Sequence, residues 1–447
     1  VKTKLLFFLL IVTATYAQQT KTVIFDDILF YDGYAPTVNE PVPNDVIRHR
    51  NDLYAKKLSA QQLAAFGDEI TINVNIKAAC DNYDRIGNVN LALVPKGQVT
   101  YTLDAADLVR IELGRYITPF MNKNKTPNIV PYSYDLNHIS RIFKDQATLA
   151  KYDIWVELEL FGVPYSAQTQ IPGCAGRNDV FYGSVEVVSN LVADPQKVDD
   201  LVLVPLLIKH DLNNYQVGAS DAIGLSKKTI NFELDNTIYN AKLFLITSNH
   251  GAGSGGEEYV RREHYVYFDQ SLKLQYKPGG LSCEPFRKYN TQPNGIYQNA
   301  PQSDQFWASW NNWCPGNSIP IRIIDLGTLA AGTHTVVLDV PEAQFAGGDG
   351  KIPVSLYIQA HNKPYTVSVE EVYTADNIKL FPNPTTDIVT IRSDHEITSV
   401  EIWDLTGKKV GFIRDKVIDL TTYAAGIYII KVTSASGNQS QHKVIKN

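Results

Sequence analysis

An all-β chain is what the apolar pattern predicts. Runs such as Ile72-Asn73-Val74-Asn75-Ile76 alternate with a period of two, and loops rich in Asn, Pro and Gly separate them. Tyrosine is abundant, at 25 of 447 residues, and its ring suits a half-buried strand with a wet hydroxyl. A hydrophobic share of 44% against 20% charged residues supports packed cores rather than a disordered chain. The length predicts two to four domains. A net charge of −6 argues against nucleic acid as a partner, because such binders carry a basic face.

In order, the chain opens with the three parts of an export signal. Lys2 and Lys4 are basic, residues 5–12 are apolar, and Thr15-Tyr16-Ala17 is a small-x-Ala cleavage site. Residues 1–17 are therefore expected to be a signal peptide, with an apolar run too short to span a bilayer. Thr22-Val23-Ile24-Phe25 reads as a strand and Pro41-Val42-Pro43-Asn44 as a breaker; residues 59–66 read as a helix capped by Ser59. Alternating runs at 70–76, 88–94, 109–119, 153–161 and 180–188 complete a first β block over 18–190. One helix is expected over 136–150, broken near Asp145. Residues 192–198, with Pro195, read as a linker.

A second β block spans 200–372, with strands expected at 202–208, 227–233, 241–247, 261–268, 320–325, 334–340 and 353–360. Between residues 269 and 320 almost no periodicity is legible. A third block, 378–447, opens with Phe381-Pro382-Asn383-Pro384 and predicts a small β-sandwich of about seven short strands.

Cys80, Cys174, Cys283 and Cys314 are an even set in an exported chain, each in a loop-like context. Cys283 and Cys314 flank the unperiodic stretch and are expected to staple it, which stabilises by roughly 3–4 kcal/mol in the chain-entropy account. There is no CxxC and no cluster of His, so no metal site is expected.

Three places could carry chemistry. Cys80-Asp81-Asn82-Tyr83-Asp84-Arg85-Ile86-Gly87-Asn88 puts two acids and an arginine on a short loop between strands. Asp84-Arg85 there is either a loop salt bridge or a reactive pair. On Trp155-Val156-Glu157-Leu158-Glu159-Leu160-Phe161, Glu157, Glu159 and Phe161 share one face by the period of two. Trp155, Val156, Leu158 and Leu160 read as leaving the other face apolar, so the acids open onto solvent or a cleft. Glu257-Glu258 beside Arg261-Arg262 is either a solvated strand end or a second acidic site. Trp307, Trp310 and Trp313 either stack on a sugar or fill the stapled loop's own core, and His250 and His264 read as ordinary polar positions.

Four motifs in chain order, scattered over roughly residues 60–370, resemble the peptide-N-glycosidase F family of bacterial N-glycan amidases. They are Cys80 to Val89, Gly114-Arg115-Tyr116-Ile117-Thr118-Pro119-Phe120, Gly255-Gly256-Glu257-Glu258-Tyr259-Val260-Arg261-Arg262-Glu263-His264, and Trp313-Cys314-Pro315-Gly316 followed by Pro320 and Arg322. The resemblance implies two side-by-side antiparallel jelly-roll sandwiches. It implies hydrolysis of the amide between asparagine and the first N-acetylglucosamine of an N-glycan, leaving aspartate, with no metal or organic cofactor. Asp84, Glu258 and Glu159 are the implied catalytic acids, with Glu157 the rival of Glu159. Arg85, Tyr83, Phe161, Tyr259, Trp313 and Glu157 are the implied substrate contacts. An N-linked glycoprotein or glycopeptide is the implied substrate, and a monomer is expected.

The family's partner for Cys80 is replaced by Asn75, and a new cysteine stands at 174, so a Cys80–Cys174 bridge is expected. The family's second short disulfide is replaced by Gly256 and Val260, and its aromatic and basic contacts by Tyr83, His250 and Trp310. These departures keep a second reading open, a non-catalytic glycan-binding protein on the same scaffold. Copper monooxygenases share paired jelly rolls, but none of the nine His forms a close pair or an HxH. The last block resembles the C-terminal sorting domain of the type IX secretion system, which implies passage through that machinery to the cell surface or beyond.

Overall fold

The computed structural model describes residues 19–190, 200–212, 226–252, 256–292, 296–310, 312–345, 350–364, 378–393, 397–404, 408–434 and 439–447. The expected signal peptide and the linker at 192–198 lie outside them. The chain divides into two compact units, Val1–Pro364 and Tyr365–Asn447.

In the first unit two antiparallel sandwiches stack apolar faces inward. In the first sandwich, Gln19–Tyr31, Asp179–Asn190, Glu69–Ala78 and Ile129–Asp135 form one sheet. It faces a six-stranded sheet ordered Ser318–Ile319, Val109–Ile117, Ile86–Pro95, Tyr152–Leu160, Leu53–Lys57 and Val46–Arg50. Ile72, Val74, Ile76, Leu91, Leu158 and Phe181 fill the space between. In the second sandwich, Leu201–Leu212, Ile352–His361, Ile238–Thr247 and Arg322–Leu329 face Lys227–Leu234, Gly332–Asp339, His264–Phe268 and Ser271–Tyr276. Its core is built on Leu243, Leu245, Val336, Leu338 and Leu356. Among the described residues, the second unit has seven short strands in sheets of three and four around Val389, Val400, Ile402, Ile430 and Val444.

Several elements differ from the sequence reading, each for a local reason. The Val46–Arg50 and Leu53–Lys57 hairpin goes unread in the sequence because Arg, His and Lys occupy its solvent positions without regular alternation. Ile129–Asp135 is a strand despite Pro131, which an edge position tolerates. Ser271–Tyr276 is a strand inside the stretch read as unperiodic, and Glu284–Tyr289 and Asp304–Trp310 are short helices there. The helix expected over 136–150 is a 3₁₀ turn, Asn137–Phe143, and then Gln146–Lys151 capped by Asp145. Ser59 caps Ala60–Ala65 in a reciprocal box with Gln62. Trp155 does not belong to the apolar face: it packs with Ala55, Ala92 and Tyr101 on the side that carries Glu157.

What joins the two sandwiches begins as a bulge. Val89 pairs with Gly114 and Asn90 with Glu112, so Leu113 is an extra residue on its strand. Glu112 and Arg115, three positions apart, therefore project from the same outer face of the six-stranded sheet. Arg115 Nε and Nη2 donate to Glu112 at 2.8 and 2.7 Å. Its Nη1 crosses to Ser248 Oγ at 2.9 Å and to the Pro353 carbonyl at 2.7 Å. The Ser355 hydroxyl donates to Glu112. Arg115 is 0% and Glu112 1% exposed, so water cannot replace any of these bonds. Beside the pair, His138 stacks on Phe244 at 4.2 Å and bonds the Tyr357 hydroxyl, which carries the first core into the second sandwich.

Arg115→Met strands the buried Glu112 charge and is expected to cost about 3–5 kcal/mol of unfolding free energy. Urea melts would check this; a variant within about 1 kcal/mol of wild type would show that the pair is not the joint.

Candidate active site

Asp84 sits on the loop between Glu69–Ala78 and Ile86–Pro95, and neighbours on both sides fix its place. Thr118, wholly buried, accepts the Arg85 amide at 2.7 Å and donates to the Tyr83 carbonyl at 3.2 Å. The Thr118 amide donates to the Arg85 carbonyl at 2.8 Å. Both residues flanking Asp84 are thus held by one side chain and its own backbone. Asp81, not Asp84, is the salt-bridge partner of Arg85: Nε donates at 2.7 Å and Nη2 at 3.3 Å. Asp81 also accepts the Tyr83 and Val163 amides, so it is a structural anchor, 1% exposed. Cys80 is bonded to Cys174, which ties the start of this loop to the one after Tyr165–Gln170.

Asp84 is half-buried, and burial pushes its carboxyl well above the usual carboxylate range. The negative charge of Glu258 adds to the rise, and Arg85 opposes it. Glu258 comes from the second sandwich, on a turn in which the Val260 amide donates to Gly256 at 3.2 Å. The Asn312 amide group reaches over that turn to the Glu257 and Glu258 carbonyls at 2.7 and 2.8 Å. These bonds close the turn where the sequence has Gly256 and Val260 in place of cysteines. The two adjacent glutamates divide the work. Glu257 is 0% exposed and is taken up by Arg262 and by the Gln344 and Phe345 amides. Glu258 is half-buried and accepts the Tyr259 hydroxyl, whose titration burial and then Glu258 raise.

Around the acids lie aromatic rings. Arg85 stands 5.4 Å from the Tyr83 ring centre and 5.9 Å from that of Phe161. Tyr83 meets Phe120 edge to face at 5.8 Å. Tyr297, on the stapled loop, is close enough for Asp84 to affect its hydroxyl. Trp313 is 8% exposed, packs with Ile117, Ile246 and Ile319, and donates to the Asn249 carbonyl at 2.8 Å. Trp307 is fully buried with the Cys283–Cys314 disulfide and fills that loop's own core. The side chain of Trp310 lies outside the described residues.

The two strand acids have separate surroundings. Glu157 is 0% exposed and accepts Asn90, Tyr101 and a two-pronged Arg110, a network closed within the protein. Glu159 accepts Arg50 and Lys209, each at 2.8 Å. Burial works to raise its pKa, but Lys209 and Arg50 overcome that and hold it at about 2. The charge neighbours of Asp84 are Glu258, Arg85 and Asp81. The structure therefore brings Asp84, Glu258, Arg85, Tyr83 and Tyr259 together, with Phe161 beside Arg85. It sets Glu157 and Trp313 in packing and ion-pair roles. Thr118, Phe120, Tyr297 and Asn312 escape the sequence reading, although Thr118 and Phe120 stand in one of the four motifs. Among the described residues no three His, Cys, Asp or Glu are grouped to hold a metal.

A pair of acids with one pKa raised keeps a proton under conditions where an ordinary carboxyl has lost it, and the ionised partner beside it can take one up. The sign for stability follows. A carboxyl whose folded pKa is raised favours the fold while protonated, and that contribution is lost as pH rises through the folded value. Asp84→Asn is expected to raise the urea midpoint at pH 7.5 and to match wild type below about pH 4. Melts at both pH values would check this, and a variant no more stable at pH 7.5 would contradict the strained carboxyl.

Residues 21–175 and 220–359 match the N-terminal and C-terminal domain models of peptide-N-glycosidase F. Residues 379–447 match the secretion system C-terminal sorting domain, which directs the chain by type IX secretion to the cell surface or the extracellular space. No curated protein sequence matches the chain. The solved structure of PNGF-II shares 19% identity over 77% of this chain and 65% of its own, with a TM-score of 0.55. The chain thus spans about two thirds of the length of that relative. PNGase F, a glycosylasparaginase from Flavobacterium meningosepticum, shares 18% identity over 78% of this chain and 97% of its own, with a TM-score of 0.46. At 19% identity the PNGF-II structure speaks for the fold alone. The two domain models, in chain order on the two sandwiches, place the chain in the peptide-N-glycosidase F family.

Proposed function

We propose that the protein is an exported amidase that hydrolyses the bond between asparagine and N-acetylglucosamine in N-linked glycoproteins or glycopeptides. The observation that carries this reading is the Asp84–Glu258 pair, two half-buried carboxyls from different sandwiches with the Asp84 pKa raised. Amide hydrolysis asks for groups that take a proton from water and return one to the leaving nitrogen. The pair does both: its carboxylate removes a proton from the attacking water, and its carboxylic acid protonates the nitrogen as the C–N bond breaks. The products are aspartate and a glycosylamine. Assigning each step to one residue is unnecessary, because two coupled acids titrate together.

Arg85 is kept at the site by Asp81 and lies between the Tyr83 and Phe161 rings. It supplies a fixed positive charge for the amide oxygen as charge builds there. Tyr83, Phe161 and Tyr259 line the sugar's approach. Glu159 is the better candidate than Glu157 for the third acid, since it lies two residues before Phe161 and is held as a carboxylate by Arg50 and Lys209. Glu157 has no remaining role in binding once Arg110, Asn90 and Tyr101 take up both its oxygens.

Incubating a denatured N-glycoprotein in ¹⁸O water tests the reading. Each site should gain aspartate carrying one ¹⁸O, with or without chelator, and Asp84→Asn should lower kcat about 10²–10⁴-fold. Glycan binding with no Asn-to-Asp conversion on any glycan class would select the non-catalytic reading instead.

A further inference from the structure

Two large rings beyond Phe161 face solvent, Tyr34 on the loop after Gln19–Tyr31 and Tyr165 at the start of the helix Tyr165–Gln170. Tyr34 is 69% exposed and meets the Phe161 ring edge to face at 5.1 Å. Tyr165 is 56% exposed, and besides partial desolvation the Asp32 carboxylate is near enough to raise the pKa of its hydroxyl. An exposed ring this large on a loop ordinarily wanders, but the loop that carries Tyr34 is held from beneath. Asn51, 2% exposed, donates to the Asp32, Ala35 and Pro36 carbonyls and accepts the Val38 amide. The Tyr34 amide turns back to Asp32 Oδ1 at 3.0 Å. Gly33 lets the loop lie on Phe161: a Cβ there would come within 2.7 Å of that ring. The Gly33 amide donates to the Gly162 carbonyl at 2.9 Å.

Two consequences follow. The Tyr34 ring is pre-positioned, so a ligand would spend little entropy ordering it. The backbone groups of residues 32–36 named above are already bonded within the protein, so this loop cannot add a peptide as an extra strand. What remains on offer is aromatic surface in continuity with Phe161 and Arg85. Flat rings beside a carboxylate suit a pyranose, which stacks its C–H face and bonds its hydroxyls.

We propose that Tyr34 and Tyr165 form an oligosaccharide subsite that extends the Asp84 site outward past Phe161 and grips sugars beyond the core of the glycan. This rests on the amidase reading for its orientation, with the reducing end of the glycan at Asp84.

The test compares two glycopeptides with the same peptide, one carrying a full-length N-glycan and one carrying only the two core N-acetylglucosamines. Tyr34→Ala with Tyr165→Ala is expected to lower kcat/KM about tenfold on the long glycan and to leave the short one unchanged. Tyr34→Phe should keep the wild-type ratio, since the ring remains. Equal loss on both substrates, no loss on either, or a loss that follows peptide length at constant glycan would overturn the subsite. If wild type cleaves neither substrate, the amidase reading falls, and calorimetric titration with the free full-length oligosaccharide decides the subsite separately. Binding by wild type that the double variant weakens about tenfold supports it; no binding, or equal binding, overturns it.

Discussion

The bidentate Arg115–Glu112 pair is the interaction on which the rest of the first unit depends. It lies on the outer face of one sandwich and donates and accepts across to Ser248, Pro353 and Ser355 of the other. An unpaired charge at that depth is strongly unfavourable, so each sandwich completes the other's hydrogen bonding. The joint is directional in a way an apolar face would not be. A hydrophobic seam tolerates sliding; a guanidinium with four named acceptors does not. That fixity matters because the reactive acids come from opposite sides of the joint.

The strand that carries Arg115 continues into Thr118 and Phe120. It therefore links the joint directly to the loop that carries Asp84. The stapled loop reinforces the same strand: Ser318–Ile319 pairs beside Tyr116 and Arg115, and the Gly316 amide bonds the Ile117 carbonyl. Precision at Asp84 is thus inherited from three sources that share one strand. The strain of a half-buried acid facing another acid is a local cost that this framework tolerates.

Much of this was legible in the sequence where a short-range rule applies. The period-two alternation of Glu69–Ala78 and Asp179–Asn190, the Ser59 capping box and the break at Asp145 all depend on neighbours within a few positions. The Val46–Arg50 hairpin and Ser271–Tyr276 were not, because their outward residues are too mixed to show a face. Trp155 was misread because its own face is also buried, so alternation stops meaning inside and outside. The site divides the same way. The four motifs mark Asp84 and Glu258, but nothing in Glu257-Glu258 or in Glu157-Leu158-Glu159 says which acid is consumed by an internal network.

By itself, the sequence determined the all-β class, the even cysteines and the family likeness, since each is written in local pattern or motif. Only the tertiary structure decided that Asp81 rather than Asp84 pairs with Arg85, that Glu257 and Glu157 are closed off, and that a bulge at Leu113 turns Glu112 and Arg115 to one face. The physical reason is that an ionisable group's role is set by what lies within a few ångströms of it. Those neighbours come from residues as much as 243 positions away in the chain.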